Sequence, residues 1–365
     1  MPPEHIIDPT EPLASQIETV EDALLVPMGQ PRTQRRPLLG GVLRADGSFV
    51  ENGHAFIEPG RTATQPPIRH PHDRFGIRQG TWLYGGRHDL RFGHFLVETL
   101  ARLWALDHID DKVEGIVFLP QGATNYGRPD RRVERTRALF ALVGELPPIE
   151  IVVRPARFER LVVPPQGCGS GDHAVGCPEF RQFIRDRFAK GIAPAGAEKI
   201  YISRSKLVRT PGQILFEEEI EQALAREGYA IYHPQDHPVA HQIATYRAAN
   251  KIIGAESSAF HLMAYAVQNK DIGILRRRNG EKADAFLDQM KLFTDKRPQS
   301  LGTIVHSFTF PRSDGKANAV LDLPDLAADL RAKGFVSDRF TLPAKSEDEI
   351  AQATEALRQR IFKRA

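Results

Sequence analysis

KIYISRSKLVRTPGQILFEEEIEQALAREGYAIYHPQDHPVAHQIATYRAANKIIGAESSAFHLMAYAVQ, residues 199–268, decides the fold class. Short apolar runs alternate in it with longer amphipathic ones. KIYIS, YAIYH and KIIGA read as strands, and DIGIL just beyond supplies another. ILFEEEIEQALAREG, PVAHQIATYRAAN and SSAFHLMAYAVQN between them read as helices. Strands that alternate with helices predict an α/β fold with a parallel, doubly wound sheet. Parallel strands covered on both faces should be continuously apolar, as IIG and IGIL are.

In open α/β sheets, ligands sit beyond the carboxyl ends of the strands. The first strand delivers Ser203, Arg204, Ser205, Lys206 and Arg209 into one loop. Guanidiniums donate bidentately to phosphate oxygens and keep their charge, so this loop suits a diphosphate. The competing reading is a solvated basic loop. The third strand ends at Gly254, where Ser257 is placed to cap a helix whose free N–H groups can hold an anion. An ordinary capped helix would look the same. Glu256 would repel a diphosphate there and suits a ribose hydroxyl better. Glu217 and His261 are further candidates in the same region.

Working outward, the linker GIAPAGAE marks a boundary. We expect an α/β domain over 1–190, a second, Rossmann-like domain over 191–310, and a helical extension over 311–365 that packs back on the N-terminal lobe. FGHFLVETLARLWALDHI is expected to be one helix, on which His94 and Glu98, four residues apart, can meet. A histidine oriented by a carboxylate is a general base at neutral pH. His88, Asp89 and Arg91 precede it and could line the same site. A pair with no chemistry is the alternative.

The formal net charge of +3 suits small anionic ligands and is too low to argue for nucleic acid. Cys168 and Cys177 do not make a disulfide scaffold. With His173 they could bind a metal, although a glycine-rich loop is the simpler reading. His70, His72 and Asp73 in RHPHDR could likewise coordinate a metal or merely form a turn. The N-terminus lacks a signal-peptide pattern, and no run reaches the ~20 apolar residues of a membrane span. A cytoplasmic protein is therefore expected. The basic C-terminal helix could rest peripherally on an anionic membrane. D-x-D, G-x-x-x-x-G-K-[ST], H-E-x-x-H and G-x-S-x-G motifs are absent from the sequence. Without D-x-D, a diphosphate would be held by cationic side chains and no metal is expected.

These residues resemble family-61 glycosyltransferases over roughly 82–110 and 199–268. The resemblance lies in Tyr-Ile-Ser-Arg ending a strand, a second arginine soon after, acidic residues opening the next helix, Gln242, a strand–Gly–small-residue turn, and the His–x3–Glu helix at His94 and Glu98. It implies two Rossmann-like lobes facing a cleft (GT-B-like). It also implies inverting, metal-independent transfer from a nucleotide sugar, often UDP-linked, to a glycan or lipid-linked acceptor in capsular or other surface polysaccharide synthesis. By position, Arg204 and Arg209 would hold the diphosphate, with Ser257 and Ser258 beside it. His94 and Glu98 would face the acceptor, either one serving as base. The sequence departs from the family where Glu256-Ser257-Ser258 replaces His-Gly-small, and where Phe216-Glu217 replaces Asn-Glu. Two other readings are a pyruvyl-type transferase on a similar fold and a non-catalytic relative that binds a glycan or a partner in envelope assembly.

Overall fold

The computed structural model describes residues 7–27, 38–58, 61–67, 75–121, 129–207, 212–278, 281–310 and 317–362. The chain divides into two compact units, Met1–Lys190 and Gly191–Ala365.

The first unit is built on a six-stranded sheet. Its strands are β1 (Glu18–Val26), β2 (Gly41–Leu43), β3 (Ile77–His88), β4 (Val113–Pro120), β5 (Ile149–Ile151) and β6 (Ala156–Val163), in the order β2-β1-β6-β3-β4-β5. The last four run parallel, while β1 is antiparallel to both β6 and β2. Tyr84, Val117, Leu119, Phe158 and Leu161 form part of its core. Helices α1 (Pro129–Phe140) and α2 (Pro178–Arg187) belong to this unit.

The long strand β3 leads into the His94 segment, which is not one regular helix. A single α turn at Phe92–His94 widens into a π turn over Phe95–Thr99, and a 3-10 stretch follows at Leu103–His108. The N–H of Phe95 still reaches Arg91 O four residues back, but that of Leu100 reaches Phe95 O, five back. All residues from Phe95 to Ala105 are buried. A segment covered on every side takes its shape from packing, and a 3.6-residue repeat does not govern it.

The second unit contains β7 (Lys199–Ile202), β8 (Ala230–Tyr232), β9 (Lys251–Ala255), β10 (Asp271–Leu275) and β11 (Gln299–Leu301) in one fully parallel sheet, ordered β8-β7-β9-β10-β11. That is strand order 2-1-3-4-5, which reverses direction between the first and third strands. Helices α3 (Glu217–Arg226), α4 (Val239–Ala248), α5 (Ala259–Ala266) and α6 (Glu281–Thr294) make the crossovers. This is the doubly wound unit that the strand–helix alternation predicts. Gly254 sits at the reversal because a Cβ there would lie 2.9 Å from the Ile202 Cβ and 3.0 Å from its carbonyl oxygen.

The C-terminal part of this unit adds further elements. SLGTIVHSFTF is split by Gly302 (φ +72°) into β11 and β12 (Ile304–Phe308), and β12 pairs antiparallel with β13 (Asn318–Leu321). The segment 311–365 is no appendage. Leu321 of β13 and Leu323, Leu326 and Leu330 of α7 (Leu323–Ala332) share one core cluster with Tyr201 and Ile253. The last helix, α8 (Glu347–Phe362), expected to lie on the N-terminal lobe, instead puts Leu357 against Leu215, Phe310 and Val320 of its own unit. Val320 of β13, with Phe308 and Phe310, supplies the apolar surface that it covers. Among the described residues, no helix is long and apolar enough to cross a membrane.

Candidate functional site

In the second unit the strand order places the ligand region beyond the carboxyl ends of β7 and β9. Arg204, just past β7, is pinned through Nε to the carbonyl of Gly212 at 3.0 Å. Gly212 is held in turn by Asn318 Oδ1, which accepts the N–H groups of Gly212 and Gln213 at 3.0 Å each. Gly212 has φ +93°, and a Cβ on it would stand 2.6 Å from Arg277 Nη1. Arg204 and Arg277 therefore approach the same glycine. Arg277 also donates to Ala317 O at 2.7 Å. Burial pulls its guanidinium down to about 10, and the Arg204 charge pulls the same way, although Glu256 opposes both. A buried guanidinium with a second one beside it suits an anion.

Arg277 belongs to Arg276-Arg277-Arg278, directly after β10. The sequence reading passed over these three arginines. The rule applied to Arg204, a cation immediately after a buried parallel strand, would have found them.

Glu256 does not act as a bare repelling charge. It is 1% exposed, and its carboxylate accepts from Arg278 Nε at 2.6 Å, from Arg278 Nη2, and from the Arg277 backbone N–H at 3.3 Å. Ser257 is not the helix cap. The cap position falls on Ser258, without a side-chain capping bond, because the turn continues one residue further. The buried Ser257 hydroxyl has no partner among the described residues.

Glu217 opens α3 after Phe216, whose left-handed backbone (φ 62°) delays the helix start. Its Oε1 accepts from the Arg204 N–H at 2.9 Å and from the Tyr201 hydroxyl at 3.0 Å, while Oε2 has no partner among the described residues. Burial pushes this carboxyl up to about 7 against the downward pull of those two bonds.

Lys206 lies apart from the arginines, largely exposed and 3.7 Å from Asp236. Arg209 lies outside the described residues, as do His70, His72 and Asp73. His261 is a packing residue. It is half-buried, stacked on Phe286 and bonded to Gln289 Oε1 at 2.6 Å, and loss of solvent lowers it to about 4. Cys168, Cys177 and His173 are also buried. The Cys177 sulfur caps α2 by accepting the Phe180 N–H, and burial pushes its thiol far up.

In the first unit, Glu98 is 4% exposed and both its oxygens are engaged. Oε1 meets His94 Nδ1 at 2.6 Å and accepts the Ser170 hydroxyl at 2.6 Å, while Oε2 accepts from Arg87 Nη2. Asp89, fully buried, accepts from Arg91 Nη2 at 2.6 Å and lies 3.8 Å from Arg87 Nη2. Burial pushes the Asp89 carboxyl up, but the Arg91 hydrogen bonds and the charges of Arg91 and Arg87 outweigh it and hold the carboxyl below its usual range. Thr99 fixes the corner by accepting the Asp89 N–H at 3.0 Å and donating to Arg87 O at 3.1 Å. Arg87 and Ser170 were absent from the sequence reading. Nothing in their local spacing points to the site, because Ser170 lies 72 residues from Glu98. One ligand atom each from Asp89, His94 and Glu98 lie within 4.8 Å of one another. An imidazole and two carboxylates could hold a divalent ion. Here Arg87 and Arg91 already occupy the carboxylates, so a cation would have to displace them.

The second unit is thus a doubly wound parallel sheet with buried guanidiniums just beyond the carboxyl ends of β7 and β10. The chain matches the model of the family Glycosyltransferase 61 over residues 92–273 and is a glycosyltransferase enzyme, acting with a sugar donor and an acceptor. The match contains His94, Glu98, Arg204, Glu217 and Glu256, and stops just short of Arg277. No curated protein matches the chain.

Proposed function

We propose that the enzyme is an inverting glycosyltransferase that uses a nucleotide-diphosphate sugar, UDP-linked by expectation, without a metal. The acceptor would be a glycan or a lipid-linked glycan in polysaccharide synthesis at the cytoplasmic side of a membrane, with capsule as one setting. The two units would act as GT-B-type lobes on one substrate pair. The observation that carries this reading is the approach of Arg204 and Arg277 to Gly212 at the sheet's reversal point.

The donor diphosphate would be held by Arg204 and Arg277, with the unpartnered Ser257 hydroxyl as a further donor. Their charges oppose the negative charge that grows on the leaving diphosphate as its bond to the anomeric carbon breaks. The acceptor oxygen forms the new bond from the opposite face and gives its proton to His94. Glu98 orients His94. Its own oxygens are taken up by Arg87 and Ser170, which leaves it a poor base. Glu256, neutralised by Arg278, spaces the turn and does not repel the donor.

Thermal-shift titrations with UDP, GDP, CMP and TDP, with and without EDTA, test the reading, since a ligand of the folded state raises the melting temperature. A shift with one nucleotide that survives EDTA and disappears in Arg204→Ala and Arg277→Ala is expected. No shift with any nucleotide would overturn the donor site.

A further inference from the structure

The geometry points to a second anion site, in the first unit beside His94, and hence to an acceptor that carries a carboxylate or a phosphate. Only the word acceptor rests on the proposed function; the anion site rests on the residues themselves.

Three guanidiniums, Arg87, Arg91 and Arg132, face two carboxylates, Asp89 and Glu98. Asp89 Oδ2 lies 2.6 Å from Arg91 Nη2 and 3.8 Å from Arg87 Nη2, and its charge is felt by Arg132 as well. The remaining titratable neighbours do not cancel the surplus. Burial, with the Arg132 charge adding to it, lowers His88 to about 4. His94 contributes no negative charge, and Arg135, exposed on α1, adds a positive one. The three guanidiniums exceed the two carboxylates by one positive charge, before Arg135 is counted.

The second observation is a set of donors left over. Arg132 is 6% exposed and Arg87 7%, yet Arg132 Nη1 and Arg87 Nε have no hydrogen-bond partner among the described residues. An unmet buried polar group costs about 1–3 kcal/mol, more when charged. The two local carboxylates are committed to Arg87, Arg91, His94 and Ser170. An incoming anion would satisfy the leftover donors and the surplus charge together, whereas a neutral sugar would satisfy neither. His94 is about one-third exposed, so a sugar held by its anionic group could reach it.

The test is ligand-observed NMR on the full chain, with glucuronate, glucose 1-phosphate and glucose as probes. At least one anionic sugar should bind at least tenfold more tightly than glucose, and which one binds separates carboxylate from phosphate recognition. Arg132→Gln should weaken that binding at least fivefold. If Arg132→Gln fails to fold, Arg91→Gln, at a half-exposed position, replaces it and should weaken binding at least twofold. Equal binding of all three sugars, or binding indifferent to the substitution, overturns the inference. A nucleotide thermal shift on the same sample separates the two claims. If it persists while anionic sugars fail to bind, only the anion site falls. If anionic sugars bind and no nucleotide does, the donor reading falls and the anion site stands.

Discussion

Glu98 in the first unit and Glu217 in the second are buried to the same degree, at 4% and 3% exposure, yet their surroundings differ. Glu98 receives a guanidinium, an imidazole and a hydroxyl on its two oxygens. Glu217 receives one backbone N–H and one phenol on a single oxygen, and the other goes without a partner among the described residues. A buried carboxylate with cationic partners can serve as a fixed charge. One with only neutral partners tends to keep its proton near neutral pH. The first unit thus holds a paired carboxylate against His94, the base of the proposed mechanism. In the second, Glu217 bonds Arg204 only through its backbone N–H, although the two side chains still feel each other's charge.

The largest expected effect comes from disrupting the fixed charge. Glu98→Gln or His94→Ala should lower turnover by about 100- to 10,000-fold, with donor affinity nearly unchanged in a nucleotide titration. Full activity in His94→Ala would remove it as base.

Glu217 gives the next effect, on stability. Its folded value of about 7 exceeds the ordinary 4.5, so the folded state binds more protons than the unfolded state between those values. Stability should therefore fall as pH rises from 4.5 to 7 and then level off. The loss is at most about 3 kcal/mol, from 1.36 kcal/mol per unit. Glu217→Gln should remove this slope in denaturant melts. The comparison with the variant matters because His88 and His261, both lowered to about 4 by burial, contribute the opposite slope: their stability is present above 6.5 and lost as pH falls towards 4. Identical pH profiles for the two proteins would mean that Glu217 stays ionised.

Arg277→Ala should weaken nucleotide binding by roughly 10- to 100-fold, the loss of one or two charge-assisted hydrogen bonds. Gly212→Ala should do less, about 5- to 10-fold, by straining a left-handed residue and displacing Arg277. Lys206→Ala, paired with Asp236 at the surface, should change binding by less than about twofold. If Lys206→Ala proved the most damaging of the three, the donor would lie towards Asp236 and away from Gly212.

The second unit's sheet was legible because its signal is local. Uninterrupted apolar strands such as KIIGA and DIGIL alternate with helical segments, and Arg204 follows a strand directly. Apart from Arg276–Arg278, which follow a strand directly, what escaped notice depends on other parts of the chain. Leu323 and Leu326 join a core with Tyr201 more than a hundred residues earlier. Arg87 and Ser170 meet at Glu98 from either side of the His94 segment. Local spacing also placed His94 beside Glu98 correctly, though within a different kind of helix. A contact between residues four apart survives a change from α to π turn.

That π turn gives the segment a phase shift. Up to His94 its backbone keeps step with an α-helix, and after Leu100 it has absorbed one surplus residue. An α-helix advances about 100° per residue, so that residue turns the second half of the segment relative to the first by a similar angle. His94 and Glu98 can then face the polar cluster while Leu103 and Trp104 are packed into the interior. The property at stake is length, not side-chain chemistry. Deleting one residue between Phe95 and Thr99 would bring the halves back into step and set the charged pair and the apolar anchor competing for one face.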